Sequence, residues 1–75
     1  MNWSQCPEVW IDPDRMSGAP CFRQSRVPIV SLFENLDGGA TIDEFVDWFP
    51  GITHQQVHAV LAFAIASVDA ERAVR

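Results

Sequence analysis

The chain has 75 residues, 48% of them apolar, and carries ten carboxylates against five arginines and no lysine, for a formal net charge of −5. That length allows one domain, and one core of this size contributes only about 3–5 kcal/mol of net stability, so self-association is the expected supplement. The acidic balance opposes long-range attraction to nucleic acid and suits a basic protein partner, although solubility alone accounts for it equally well.

The N-terminal part, up to Pro28, has no helical period and holds prolines at 7, 13, 20 and 28. It is expected to be extended and looped. Two β-favouring pieces, "EVWI" and "CFRQSRVPI", flank the turn-rich "DPDRMSGAP", where Asp12-Pro13 and Ser17-Gly18 suit tight turns. A small hairpin or a pair of edge strands is predicted. The start "MNWSQCPEVWIDPD" has neither the basic residues nor the apolar run of a secretory signal. A reducing cytoplasm is therefore expected, with Cys6 and Cys21 as buried or tolerated free thiols rather than a disulfide. The longest apolar run, "AVLAFAIASV", is half the ~20 residues that a membrane-spanning helix needs.

After Pro28, which can occupy a first helical turn, Ile29, Leu32, Phe33 and Leu36 recur at helical spacing until Asp37-Gly38-Gly39 stops them. Thr41 with Glu44 is a capping-box pattern that opens a second, short helix with the apolar face Ile42, Phe45, Val46 and Phe49. Pro50-Gly51 ends it. Thr53 with Gln56 repeats the capping pattern, and Val57, Val60, Leu61, Ala64, Ile65 and Val68 mark the core stripe of a third helix running towards Ala70. A second stripe, Ala59, Ala62, Phe63 and Ala66, lies on its flank; wrapping by the N-terminal segment and a dimer interface account for it equally well. The predicted class is thus mainly α. It is a single domain over 1–75, with an extended or β segment over 1–27, three helices over 28–70 and a tail over 71–75.

The order and spacing of "DP" at 12 and 13, "GAP" at 18 to 20, "SRVPI" at 25 to 29, "GGATIDEF" at 38 to 45 and "FPGITHQQVHAVLAFA" at 49 to 64 resemble a bacterial family, the domain of unknown function numbered 433. Members read as an Asp-Pro turn, a Gly-x-Pro, a Gly-Thr-Arg-Ile-Pro-Val stretch, a Gly before a Ser or Thr cap, and a Tyr-Pro-x-Leu-Thr leading into an Ala- and Leu-rich helix. The likeness covers roughly Val9 to Ala66. It implies a homeodomain-like or winged-helix-like three-helix domain, often dimeric. It also implies a frequent role as the antitoxin half of a toxin-antitoxin pair, opposite a PIN-like nuclease. Arg26, Pro28, Gly39 and Thr53 match the family's Arg, Pro, Gly and helix cap. Gln24 departs from a preferred Gly, a residue that takes positive φ freely, and Gln56 replaces an acid without losing the cap.

Two adjacent helices broken by Phe-Pro-Gly suggest a helix-turn-helix, whose second helix presents its first turn to DNA bases. The candidate readers are His54, Gln55, Gln56 and His58, with Gln55 the sharpest because Gln pairs in bidentate fashion with adenine. Arg15, Arg23 and Arg26 are the one cluster placed to grip phosphate, as no Arg or Lys stands between Arg26 and Arg72. The plain alternative is a solvated first turn. His54 and His58 stand one turn apart without further ligands, so no metal is expected. Asp43, Glu44 and Asp47 read as a solvated face, and no nucleophile constellation or phosphate-binding loop is present, so neither enzyme activity nor a cofactor is expected.

For a protein partner the material is richer. Trp3, Trp10 and Trp48 are many tryptophans for so short a chain; at least one is expected in the core, and Trp48, off the apolar stripe of its helix, is expected to be partly exposed. Arg72 and Arg75 of the C-terminal arm are candidates to occupy a carboxylate-lined nuclease site by forked hydrogen bonds. The expected function is an antitoxin-like protein that neutralises a PIN-like toxin and binds its own promoter second. The alternatives are a stand-alone helix-turn-helix regulator and a structural adaptor.

Overall fold

A computed structural model describes residues 2–14 and 16–73, apart from the side chains of 16 and 71–73. Arg15, Arg75 and the Arg72 side chain, three of the proposed contacts, lie outside the described residues. The element order is a short 3-10 turn (Trp3–Gln5), β1 (Val9–Trp10), a second turn (Met16–Gly18), β2 (Cys21–Phe22), α1 (Ile29–Asp37), α2 (Ile42–Trp48) and α3 (His54–Ala73). The two strands pair antiparallel, Val9 opposite Phe22 and Trp10 opposite Cys21. Three helices and a small hairpin are what the sequence predicts.

Local chemistry explains each boundary. The loop 22–28 is pinned by Phe22 N–H to Val27 O, Ser25 N–H to Phe22 O, and the Trp10 indole Nε1–H to Ser25 O at 2.9 Å. Those bonds hold Gln24 at φ 59, so the left-handed turn survives without the glycine. Pro28 is the N-cap of α1 rather than a residue of its first turn, and the helix begins one residue later. At the other end Gly39 N–H donates to Leu36 O and Ala40 N–H to Asn35 O, with Gly39 at φ 100, which is a Schellman termination. Both capping boxes form. Thr41 Oγ1 accepts from Glu44 N–H at 3.1 Å and Thr41 N–H donates to Glu44 Oε1, while Thr53 and Gln56 do the same for α3.

The core gathers Phe22 from the hairpin, Ile29 and Leu32 from α1, Phe45 from α2, Ile52 from the turn, and Val57 and Val60 from α3, with Val9 and Cys6 beneath. Phe45 is its centre, its ring 6.1 Å from Phe22 and 4.7 Å from Phe49. Cys6 and Cys21 are buried free thiols, and burial pushes the Cys21 thiol above its ordinary pKa.

The third helix departs from expectation in two respects. It continues through Ala73, three residues past the predicted end, and its core stripe stops early. Val57 and Val60 are fully buried, but Ile65 is 69% and Val68 58% exposed. The reason is length. Twenty residues span about 30 Å, more than the other two short helices and the hairpin can cover, so the spacing that reads as core continues after the core has ended. The flanking stripe is divided too: the Trp3 ring packs 5.1 Å from Phe63, so the N-terminal segment covers that position, whereas Ala62 and Ala66 stay exposed.

Candidate functional site

The first turn of α3 offers less to DNA than its sequence suggests. Its capping box occupies Gln56, and His54 Nε2 lies 2.6 Å from Asp43 Oδ1, tying the start of α3 to α2. Gln55 and His58 are exposed, and neither side chain makes a hydrogen bond among the described residues. Asp43, exposed, puts negative charge beside that turn, which opposes phosphate. Arg23 is also engaged, its Nε–H donating to Pro7 O at 2.6 Å, while Arg26 is exposed in the loop before Pro28. Residues 54–58 and the loop at 23–26 therefore present two free amides, Gln24 and Gln55, one free imidazole, His58, and one free guanidinium, Arg26, in place of a basic surface.

Trp48 stands where its helix position predicts, 55% exposed at the C-terminus of α2. The structure adds its surroundings. Trp48 forms one wall of a groove of about 340 Å³ whose other walls are Glu34 and Asn35 of α1, the Gly38-Gly39-Ala40 turn and Glu44. Sequence reading placed Glu44 and Trp48 on α2 but missed Glu34 and Asn35, because only the packing of α1 on α2 brings them there. Residues 27–71 hold seven carboxylates and no Arg or Lys, so the charge of this part of the chain is one-sided. An indole face beside two carboxylates suits a cationic side chain, attracted by both the ring quadrupole and the Coulomb field.

A second uncovered surface is apolar. Phe33 of α1 with Leu61, Ala64, Ile65 and Val68 of α3 line a groove of about 470 Å³, with Asp69 at its end. The four proposed dimer residues, Ala59, Ala62, Phe63 and Ala66, lie on the adjacent flank, two of them half-buried and two exposed. Among the described residues no group of three His, Cys, Asp or Glu side chains is placed to hold a metal ion, and no helix is long and apolar enough to cross a membrane.

Comparison with known proteins places this geometry in a family. No curated protein matches the chain. The crystal structure of a DUF433 member protein from Anabaena variabilis is similar, with a TM-score of 0.70 and 25% sequence identity, over 93% of this chain and 71% of that one. The family model described as "Protein of unknown function (DUF433)" matches residues 9–64, from β1 to the middle of α3, and so covers most of the chain. The chain belongs to the DUF433 family.

Proposed function

We propose that this chain is an antitoxin-like binding protein whose main partner is another protein, with recognition of its own promoter DNA second. The observation that carries the reading is the exposed Trp48 in a groove walled by Glu34 and Glu44, on a helical body that lacks any Arg or Lys from 27 to 71. Tryptophan concentrates binding energy where it can be desolvated, and the surrounding carboxylates favour a basic surface. A PIN-like nuclease is the partner that the family resemblance suggests, and Arg72 and Arg75 would then reach its carboxylates. The reading is of a binding protein rather than an enzyme: Glu44 is spent on a helix cap, and Asp43 on His54.

The second reading, a stand-alone regulator of homeodomain-like or winged-helix-like type, draws on Gln55 and Arg26, both exposed. One comparison separates the two. The tagged protein and its Trp48→Ala variant are used to capture partners from the host, and what co-purifies in stoichiometric amount is identified by mass spectrometry. The expected result is a small basic or nuclease-like protein retained by the parent chain and weakened at least tenfold in affinity by the substitution, with the melting temperature unchanged. Recovery of promoter DNA instead, released steeply by salt and lost on Gln55→Ala, would favour the regulator.

A further inference from the structure

The end of α1 carries its charges against its own dipole. Aligned peptide dipoles leave partial negative charge at a helix C-terminus, where Lys or Arg is favourable and a carboxylate is not. The last turn of α1 has no basic residue; Glu34 and Asp37 stand there instead, three residues apart and so like-charged neighbours on the helix surface. The Glu34 carboxylate is exposed and takes no hydrogen bond or ion pair among the described residues. Nothing covers the helix end at the Gly38-Gly39 turn, since a Cβ added to Gly39 would meet no atom within 4 Å. This end of α1 is one wall of the Trp48 groove, and its other polar groups keep acceptors too. Asn35 directs Nδ2–H to Ser31 O at 2.7 Å and retains Oδ1, while Glu44 accepts from Thr41 N–H through Oε1 and retains Oε2. The negative end of a helix, two carboxylates, an amide oxygen and an indole face thus share one cleft with no cation in its lining.

We propose, on the reading of Trp48 as a partner surface, that this groove seats one arginine side chain of the protein partner. Charge complementarity requires a cation: the group lies at the negative end of the α1 dipole, on an indole face, with Glu34 and Glu44 as walls. Shape and hydration select arginine over lysine. A guanidinium is planar and weakly hydrated, so it stacks on the indole while its five N–H donors reach acceptors on more than one wall. An ammonium is strongly hydrated, has three donors and no plane to stack. The groove measures about 340 Å³, at the small end of the roughly 300–1,000 Å³ of ligand-sized clefts, so it suits one long side chain rather than a docked helix. A guanidinium seated there also relieves the repulsion between Glu34, Asp37 and the helix end that the free chain bears alone.

The probes are acetyl-arginine amide, acetyl-lysine amide and acetyl-citrulline amide, the last close to arginine in shape but uncharged. Each is titrated at constant ionic strength into the isotope-labelled full chain, to concentrations well above a dissociation constant of about 1 mM, and followed by the NMR signals of the Trp48 indole and the Gly38 and Gly39 amides. A saturable shift of these signals is expected with the arginine probe, binding weaker by about threefold or more with lysine, and no response to citrulline. Glu34→Gln should weaken arginine binding by about threefold or more and raise the melting temperature by about 1–4 °C, because it removes a charge from the unfavourable end of α1. A Glu34 that only supported the fold would lower it. Asp14→Asn, which removes the same charge from an exposed turn outside the groove, should change arginine binding little. No saturable response to the arginine probe, an equal response to citrulline, a melting temperature lowered by Glu34→Gln, or binding that is unaltered by Glu34→Gln or weakened as much by Asp14→Asn would overturn the proposal. The two readings fail separately: a partner captured through Trp48 without an arginine response removes the arginine alone, and an arginine-selective groove with no captured protein removes the antitoxin reading alone.

Discussion

At the scale of single residues, Gln24 shows how tertiary bonding overrides preference. An L-residue in the left-handed region costs roughly 1–2 kcal/mol, and Gly there gives back about 0.5–1 kcal/mol of that through its larger unfolded-state entropy. The hydrogen bonds of Phe22, Ser25 and Val27 hold the turn regardless of which residue sits in it. Gln24→Gly should therefore stabilise the protein by about 0.5–1 kcal/mol, measured as a higher denaturant midpoint at unchanged slope. His54 is the contrasting case. Its 2.6 Å approach to Asp43 joins two side chains that are 55% and 87% exposed, and solvent screening leaves such pairs little energy. It orients the start of α3 more than it stabilises the fold.

At the scale of elements, capping makes the break between α2 and α3 definite. α2 has seven residues, too few to persist alone, and owes its existence to its capping box and to Phe45 in the core. α3 begins with the reciprocal Thr53 and Gln56 bonds on an exposed first turn. Thr53→Ala should cost about 1 kcal/mol and lower the melting temperature by about 4–8 °C, read from thermal circular dichroism. No such loss is expected from Gln55→Ala, a residue of the same turn without a bond to the fold. The pair thus separates folding from any role in DNA contact.

For the whole molecule the governing fact is a 20-residue helix on a domain whose core uses only its first half. The charges and the apolar residues are segregated accordingly, carboxylates around Trp48 and aliphatic side chains along α3. A chain this small has little stability to spare.

Periodicity, capping pairs and turn residues are local, so the helices, both capping boxes, the hairpin and the exposure of Trp48 were legible in the sequence alone. So were the family and the one-sided charge of residues 27–71. What only the tertiary structure decided was which side chains from different elements share a surface. Glu34 and Asn35 reach Trp48 because α1 packs on α2, and Trp3 covers Phe63 because the N-terminal turn folds back on α3. Ile65 and Val68 have the spacing of core residues, yet the described residues leave both more than half exposed. Helical spacing reports which residues share a face, and only the extent of the neighbouring elements determines whether that face is covered.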